Sequence, residues 1–281
     1  MAYLRKPEWL KNKIYSNKEF GHVNQIIQQH GLHTICTSGR CPNQSECWSK
    51  GTATLMILGD ICTRSCKFCN TLSGRPLPPD INEPEKVAAS IQLMKLKHAV
   101  ITSVDRDDLI DGGALHWAET INAIKRVNPK TTLEVLIPDF DGNELLLDYI
   151  IAEKPNIISH NLETVRRLTP EIRTKAKYDT SLKVLAYITS KGIIAKTGIM
   201  LGLGETQEEV LQLMDDTIAT GCSIITIGQY MQPSRNNVQV SEYITPEKFE
   251  EYKQIGIKKG FRHIESGPFV RSSYCAEKHI D

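Results

Sequence analysis

The stretch TATLMILGDICTRSCKFCNT, residues 52–71, joins an apolar run to three closely spaced cysteines. Its first part, 52–62, has the length and the continuous apolar character of a strand in a helix-covered parallel sheet. Cys62, Cys66 and Cys69 then follow with the spacing C-x3-C-x2-C. The carboxyl ends of strands carry the chemistry in parallel α/β proteins, so these thiols are expected at a functional site.

Apolar strands and helices alternate along the rest of the chain. Pro170 is expected to break the longest predicted helix. Six βα units are typical of a doubly wound sheet or of a barrel, and they are too few to close an eightfold barrel, which favours a partial barrel. After the first strand, strands are predicted at 98–104, 131–138, 156–163, 193–203 and 223–231, and helices at 83–97, 113–128, 143–154, 164–192, 206–221 and 245–260.

Composition and charge exclude several classes of protein. The chain has 281 residues, with 34 basic and 33 acidic side chains and a formal net charge of +1. Neither nucleic acid nor a membrane surface is expected as a partner, because such binders normally carry a basic patch or excess. The first residues lack the apolar core of a signal peptide, and no stretch approaches the ~18 apolar residues of a transmembrane helix. We therefore expect a cytoplasmic protein whose thiols stay reduced.

A second cysteine triad precedes the first strand. Cys36, Cys41 and Cys47 have the spacing C-x4-C-x5-C, and glycine and proline between them allow a compact loop around a metal centre. Cys222 lies far from both triads, before an apolar run, and is predicted to be a buried apolar side chain. In a reducing compartment, this clustering points to metal binding or catalysis and not to disulfides.

Two other interpretations of the downstream triad are weaker. Zinc sites usually show paired C-x2-C knuckles, and only Cys66 and Cys69 form such a pair. A thioredoxin-like redox pair has no use for Cys62. An iron–sulfur cluster with three protein ligands and one open iron is favoured over a zinc-binding interaction module. The upstream spacings fit no common zinc pattern either, so a second cluster is favoured there.

The C-x3-C-x2-C loop after the first strand resembles the signature of the radical S-adenosylmethionine (SAM) superfamily, with Phe68 as the aromatic residue before the last cysteine. The resemblance implies a partial (β/α)6 barrel of the TIM type. It also implies a [4Fe–4S] cluster at Cys62, Cys66 and Cys69 whose open iron binds SAM. Cleavage of SAM by an electron from this cluster would give methionine and a 5′-deoxyadenosyl radical.

A glycine-containing stretch adds to this resemblance. GIMLGLGET, residues 198–206, is similar to the fifth strand of the superfamily, which contacts the adenine of SAM. The resemblance implicates Met200, Leu201 and Gly202 in SAM binding. Glycines at the end of a strand often only permit a turn, so the stretch is a weak signal without its place in the barrel order.

The two triads, in this order, resemble the lipoyl synthase family. The resemblance implies that two sulfur atoms are inserted at C6 and C8 of an octanoyl group, which is amide-linked to a lysine of a lipoyl carrier domain. A second [4Fe–4S] cluster at the upstream triad would supply the sulfur and be consumed. Other similar segments are KPEWLK (6–11), CPNQSECW (41–48), TSVDRDDLIDGGA (102–114), YMQPS (230–234) and RSSY (271–274).

The resemblance also implies partner proteins. The carrier would be the E2 subunit of a 2-oxoacid dehydrogenase or the H protein of the glycine cleavage system, and the electron donor a ferredoxin or flavodoxin. The alternative function is another radical SAM sulfur-inserting enzyme of the biotin synthase or methylthiotransferase type. The expected organisation is an N-terminal extension (1–51) with the upstream triad, a barrel (52–262) and a C-terminal segment (263–281) with the RSSY stretch.

The resemblance implies that a serine of RSSY is the fourth ligand of the second cluster. If 270–274 is extended, Arg271 and Ser273 share one face and Ser272 points away, which favours Ser273, with Ser272 as the alternative. Arg271 is expected to hydrogen-bond near the cluster or the substrate. Serine oxygen is a harder ligand than thiolate and has a far higher pKa, which suits a cluster that must come apart.

Polar residues follow two further strands. Ser103 and Asp105 follow the second strand, and Asn161 and Glu163 follow the fourth. In a barrel these positions face the mouth, where they are predicted to bind the methionine or ribose part of SAM, with Glu163 favoured for ribose. The acidic stretch that begins at Asp105 is equally consistent with a solvated loop that caps the next helix.

The remaining candidates lie at other strand positions. Gln229 and Tyr230 end the sixth strand and are expected to line a channel for the acyl chain, which favours apolar walls with few polar groups. His98 and His160 are expected to be structural, since radical hydrogen abstraction needs no general base.

Overall fold

The computed structural model describes residues 4–11 and 17–279. One eight-stranded sheet forms its centre, and a separate two-stranded sheet lies beside it. In chain order the strands are β1 (His33–Thr34), β2 (Thr54–Ile57), β3 (Ile61–Cys62), β4 (Leu72–Ser73), β5 (His98–Ser103), β6 (Thr132–Leu136), β7 (Ile157–Ser159), β8 (Ile194–Leu201), β9 (Ile224–Gln229) and β10 (His263–Gly267).

The large sheet follows the chain order β1, β2 and β5 to β10, and the small sheet pairs β3 with β4. From β2 to β10 every neighbouring pair in the large sheet is parallel, whereas β1 is antiparallel to β2. This is the predicted partial barrel with one more parallel strand. This extra strand, β10, lies in the segment that was expected to be a C-terminal extension. Its sequence, HIESG, is not an apolar run, so no strand was predicted there.

The helices are α1 (Lys18–Gln29), α2 (Ile35–Ser38), α3 (Gln44–Ser49), α4 (Glu83–Leu93), α5 (Ala114–Val127), α6 (Glu144–Ala152), α7 (Thr169–Ile172), α8 (Tyr178–Ser190), α9 (Gln207–Ala219) and α10 (Pro246–Lys259). Their ends follow local chemistry. Thr206 and Glu209 form a capping box that begins α9, and Thr245 caps α10 ahead of its proline. The predicted helix 164–192 is divided into α7 and α8. Pro170 lies in the first turn of α7, where proline is tolerated, and does not itself end a helix.

The first apolar run forms a shorter strand than expected. The prediction of one strand over 52–62 is wrong, because β2 ends at Ile57 and Leu58 takes a positive φ of 68°. The Leu58 N–H leaves the sheet and donates to Glu83 Oε2 at 2.7 Å. Ile61 and Cys62 therefore belong to β3, outside the main sheet.

The core lies between the sheet and the surrounding helices. Trp117 and Ile121 of α5 are fully buried, and so are Ile101 of β5 and Val135 of β6. Continuous burial on both faces explains why the parallel strands read as unbroken apolar runs. Within the described ranges, no helix is both long enough and apolar enough to cross a membrane.

Candidate active site

A cavity of about 520 Å³ lies inside the partial barrel and reaches the residues that follow the carboxyl ends of its strands. This size suits a small-molecule site. The predicted site residues in its wall are Cys36, Cys41, Cys62, Cys66, Cys69, Ser103, Asp105, Asn161, Glu163, Met200, Tyr230, Arg271, Ser272 and Ser273.

The loop that carries the downstream triad is held at both ends and in the middle. β3 and β4 pair Ile61 with Leu72 and Cys62 with Ser73, which closes the loop into a ring. In the middle, the Val238 N–H donates to Lys67 O at 3.0 Å. These contacts fix the loop without the help of its thiols.

Backbone N–H groups point at two of its sulfur atoms. The N–H groups of Arg64 and Asp105 both donate to Cys62 Sγ at 3.4 Å, and the Thr71 N–H donates to Cys69 Sγ at the same distance. Burial, and then the nearby Asp105 carboxylate, raises the pKa of Cys62 to about 12. A bound metal centre would have to displace this proton, and the N–H donors favour the resulting thiolate.

Arg64 lies inside the cysteine motif and anchors it to two neighbouring strands. Its side chain is 5% exposed. It makes two 2.9 Å hydrogen bonds to Asp107, one of 2.8 Å to Asp139, and an ion pair of 3.3 Å with Asp105. Burial works to raise the pKa of Asp139, but the Arg64 guanidinium outweighs it and holds that pKa below its usual range. Asp105 and Asp107, after β5, therefore belong to an ion-pair network centred on the buried Arg64 and Asp139.

The upstream triad forms a compact unit of two short helices and their connection. Cys36 lies on α2, Cys47 lies on α3, and the Cys41 N–H donates to Cys36 O at 2.9 Å. Burial and then the neighbouring Cys41 raise the pKa of Cys36 to about 11. Burial, followed by Cys36 and Cys41, raises the pKa of Cys47 to about 12. The three thiols are therefore close enough to influence one another.

The RSSY stretch reaches the same cavity as a turn. The expectation that 270–274 is extended is wrong, because the Tyr274 N–H donates to Arg271 O at 2.9 Å. The two serines still contact different neighbours. Ser273 Oγ accepts a hydrogen bond from Thr54 Oγ1 at 2.8 Å, whereas Ser272 Oγ accepts one from Asn161 Nδ2 at 2.8 Å. The Thr54 backbone works to lower the pKa of the Cys36 thiol, against the larger effect of burial, and Ser273, Thr54 and Cys36 all line the cavity.

Two glycines make room for this turn. A Cβ at Gly228 would lie 2.1 Å from Val270 O, so only glycine allows β9 to pass the C-terminal segment. A Cβ at Gly198 would lie 2.7 Å from Thr226 Oγ1 and 2.9 Å from Asn161 Oδ1. Both close approaches are with backbone or buried polar atoms, so a side chain at either position would displace the cavity wall.

The wall beside the downstream triad offers unpaired polar atoms. Ser103 Oγ and Asn161 Oδ1 are buried and have no hydrogen-bond partner within the described part of the chain. Such orphaned groups are costly unless a ligand or water pairs with them. Burial raises the pKa of Glu163, whose Oε1 accepts from Asn161 Nδ2 at 3.0 Å, and burial raises the pKa of Asp105 to about 6. These groups fit a polar ligand such as SAM.

The glycine-containing stretch after β8 contributes less to the wall than expected. Met200 lines the cavity, whereas Leu201 and Gly202 lie outside its lining. The Gly202 N–H instead donates a 2.5 Å hydrogen bond to the Glu205 carboxylate, three residues further along the chain. A contact of Leu201 or Gly202 with SAM stays a prediction.

The two residues at the end of β9 differ in role. The expectation that Gln229 lines an acyl channel is wrong, because its amide is used by backbone groups. Its Nε2 donates to the carbonyl oxygens of Leu201, Tyr230 and Glu242, and its Oε1 accepts from the Ile244 N–H. Tyr230 lines the cavity, and its hydroxyl donates to Val238 O at 2.7 Å.

His98 and His160 were expected to be structural and Cys222 to be a buried apolar side chain, and all three expectations are confirmed. His160 is buried between Ile137 O and Ser181 Oγ, at 3.0 and 2.9 Å. His98 Nδ1 hydrogen-bonds Thr132 Oγ1 at the start of the neighbouring strand. Cys222 is 1% exposed within the core.

In the part of the chain that the structure describes, no three His, Cys, Asp or Glu side chains converge tightly enough to hold a single metal ion. A four-iron cluster makes a different demand, because its cysteine ligands bind separate iron atoms. The donor sets here, three thiols with N–H donors at one loop and three thiols near a serine at the other, fit such clusters.

Four side chains contact the site but were not predicted from the sequence, namely Thr54, Arg64, Asn70 and Asp139. Their roles depend on partners that lie far away along the chain. Arg64 alone among these four carried a local signal, because it lies between Cys62 and Cys66 of the predicted cluster motif.

The fold and the cysteine loop after β2 define a radical SAM enzyme, and residues 56–217 match the family model described as the Radical SAM superfamily. Similar solved structures include Streptococcus suis SuiB bound to S-adenosylmethionine (12% identity, TM-score 0.61, 79% of this chain and 53% of that chain). A methylornithine synthase has 11% identity and a TM-score of 0.57, with 85% of this chain and 72% of that chain covered. At these identities the likeness shows the fold alone.

Relatives named lipoyl synthase match almost the whole chain. The one from Parabacteroides distasonis and one from Porphyromonas gingivalis are each 63% identical over 99% of both chains. The one from Treponema denticola is 59% identical over 98% of this chain and 95% of the relative. The chain belongs to the lipoyl synthase family, as the paired cysteine motifs predicted.

Proposed function

We propose that this chain inserts two sulfur atoms, at C6 and C8, into an octanoyl group held on a lysine of a carrier protein. The observation that carries the proposal is that members of both cysteine triads, including Cys36 and Cys62, line one cavity. Radical generation and sulfur supply must both reach the same acyl chain, and a shared cavity meets that need. The 63% identity with lipoyl synthases supports the same activity.

We infer two [4Fe–4S] clusters, one at Cys62, Cys66 and Cys69 with SAM, and an auxiliary one at the upstream triad and Ser273. When bound, these groups supply the reductive cleavage of SAM and the sulfur. The N–H donors to Cys62 and Cys69 would tune the reduction potential of the first cluster, since hydrogen bonds to ligating sulfur do so generally.

Polar groups of the wall would orient SAM. Ser103 Oγ and Asn161 Oδ1 have free hydrogen-bonding capacity inside the cavity, and the Glu163 carboxyl lies beside them. A carboxylate pairs well with ribose hydroxyls, so we assign the ribose to Glu163 and polar atoms of the methionine part to Ser103 and Asp105. Met200, Leu201 and Gly202 remain the proposed adenine contacts.

The auxiliary site combines three thiols with a hydroxyl. Ser273 is the proposed fourth ligand because it bonds Thr54, whose backbone works to lower the pKa of Cys36, and because Ser273 and Cys36 line the same cavity. Arg271 lines the cavity, and its charge works to lower the pKa of Cys41, against the larger opposing effect of burial. A cation that acts on these thiols would offset the negative charge of thiolate ligands, and it could hydrogen-bond the substrate amide.

The acyl chain would lie against the apolar part of the wall, which excludes water from the reacting carbons. This part contains Ile35, Phe68, Tyr230, Met231 and Pro233. The proposed carriers are a 2-oxoacid dehydrogenase E2 subunit or a glycine cleavage H protein, and the proposed reductant is a ferredoxin or flavodoxin. The cysteines are all free thiols, which suits the cytoplasm.

Anaerobic reconstitution of the whole chain tests the proposal. We expect about eight irons per chain, as two cubane clusters require, and conversion of an octanoyl-lysine peptide to the lipoyl form by mass spectrometry. Cys36→Ala should keep about four irons and still cleave SAM, but make no lipoyl product. Cys222→Ala, a buried cysteine outside both triads, is the matched control. A wild-type chain with zinc alone, or lipoyl formation by Cys36→Ala, would refute the proposal.

A further inference from the structure

Asn70 joins the two cysteine loops directly. Its Nδ2 donates a 2.8 Å hydrogen bond to the carbonyl oxygen of Ser38. Asn70 immediately follows Cys69, and Ser38 lies between Cys36 and Cys41. Among the residues that the structure describes, this is the one hydrogen bond between the loop 61–71 and the loop 36–47.

The Asn70 end of this bond is firmly held. On one side, Asn237 Nδ2 donates to Cys69 O at 2.8 Å. On the other, the Thr71 N–H donates to Cys69 Sγ. Because both chain neighbours of Asn70 are fixed, its amide is a fixed donor and not a mobile surface group.

The Ser38 end passes the constraint to the upstream triad. Ser38 is the last residue of α2, which carries Cys36, and the Cys41 N–H donates to Cys36 O at 2.9 Å. A displacement of the Ser38 carbonyl would therefore move Cys36 and Cys41 together. Asn70 and Cys41 line the same cavity, so the bond lies at the wall where radical and sulfur chemistry would meet.

We propose that Asn70 is a positioning residue that sets the separation between the upstream triad and the SAM site. The inference rests on the proposed function, in which the radical derived from SAM and the sulfur of the upstream site must both reach the same acyl carbon. A misplacement of roughly 1 Å can cost about a hundredfold in rate, even when it arises away from the reacting atoms. Loss of the bond therefore uncouples SAM cleavage from sulfur insertion, so that SAM is consumed without formation of the lipoyl product.

A residue that only supports the fold behaves differently. If Asn70 stabilised the downstream loop alone, its loss would lower SAM cleavage and lipoyl formation in the same proportion. The ratio of 5′-deoxyadenosine to lipoyl product distinguishes the two roles. The magnetic interaction between the two reduced clusters is a second readout, because it depends on their separation and not on turnover.

The experiment compares the reconstituted wild-type chain with Asn70→Ala and with the isosteric Asn70→Asp, which lacks the donor. We expect wild-type iron content, unchanged initial SAM cleavage and about a tenfold rise in deoxyadenosine per lipoyl product. We also expect altered spin coupling in the electron paramagnetic resonance spectrum. In metal-free protein, hydrogen exchange of residues 36–41 should become faster. Asn122→Ala is the matched control, since Asn122 is exposed on α5 and its amide bonds Glu153, away from both cysteine loops.

The inference fails if both variants keep the wild-type product ratio and spin coupling, or if SAM cleavage falls in step with lipoyl formation. Failure of the proposed function is a separate result, because it would appear as absence of lipoyl product from the wild-type chain itself.

Discussion

Thr54 and Ser273 are 219 positions apart, and the Thr54 hydroxyl donates a 2.8 Å hydrogen bond to the Ser273 hydroxyl. This bond joins the first residue of β2 to the C-terminal turn. The neighbouring Ser272 instead accepts a 2.8 Å hydrogen bond from Asn161 Nδ2, on the loop that follows β7. The two serines of the turn are thus separated by their hydrogen-bond partners and not by the alternation of an extended chain.

Ser273→Cys should give an enzyme that keeps its auxiliary cluster but releases sulfur slowly. Thiolate is a softer and better ligand for iron than a serine oxygen, so the cluster resists disassembly. We expect full iron content and a fall in lipoyl formation of about tenfold or more, measured in a single turnover by mass spectrometry. Ser272→Cys is the matched control. A wild-type rate in Ser273→Cys would argue against the assigned ligand.

Gly228→Ala should remove the auxiliary cluster and spare the downstream one. The new Cβ would lie 2.1 Å from Val270 O, so the turn that carries Ser273 must move. Overpacking of this kind costs about 1–3 kcal/mol. Mössbauer spectra should show loss of one cluster type, with SAM cleavage retained. Gly21→Ala on α1, where a Cβ meets nothing within 4 Å, should leave both clusters in place.

Arg64→Met should destabilise the metal-free protein. Asp139, whose side chain is 1% exposed, would lose its cationic partner, and breaking a buried ion pair costs about 3–5 kcal/mol. Asp139→Asn in the same background should recover part of this loss, because the uncompensated charge is gone. Urea denaturation of the two single variants and the double variant gives the coupling. Strict additivity of the two free-energy changes would show that the pair does not interact.

His160 should make stability fall at mildly acidic pH. Burial, followed by the nearby Arg173, lowers its pKa from 6.5 to about 4, so the folded state binds fewer protons than the unfolded state between these values. Its contribution is complete above pH 6.5 and is lost as the pH falls toward 4. Between pH 7 and pH 5, the metal-free wild type should lose about 2 kcal/mol more than His160→Gln. Urea denaturation at the two pH values measures this, with exposed His22→Gln as the control. Equal losses in wild type and His160→Gln would contradict the assignment.

Sequence patterns predicted the elements whose cause is local. The strands β5 to β9 are runs of apolar residues with both faces covered, and periodicity alone reports that. The cysteine motifs are equally local, since the three cysteines of each motif lie within a few residues of each other. The helix predicted at 206–221 is α9, and its start is local too, because Thr206 and Glu209 cap its first turn.

Elements with a distant cause were missed. β2 ends early because Leu58 bonds to Glu83 of α4, and no feature of the run 52–62 reports that partner. Gln229 looks like a channel residue at a strand end, yet carbonyl groups from three other residues consume its amide. The turn at 271–274 depends on the space left by Gly228 in another strand. In each case, tertiary hydrogen bonding or close packing decides the outcome.

The hydrogen bond between Thr54 and Ser273 has a consequence for the order in which the protein folds during its synthesis. The downstream cysteine loop closes through β3 and β4, which leave the ribosome almost together. The cavity wall beside Cys36 is finished only when residues 271–274 return to β2, after every strand of the sheet has been translated. A nascent chain therefore closes the two ends of the downstream loop early, whereas Val238, which holds the middle of that loop, and Ser273, which completes the wall beside Cys36, are both translated late. Both cysteine loops are expected to reach their final form only near the end of synthesis.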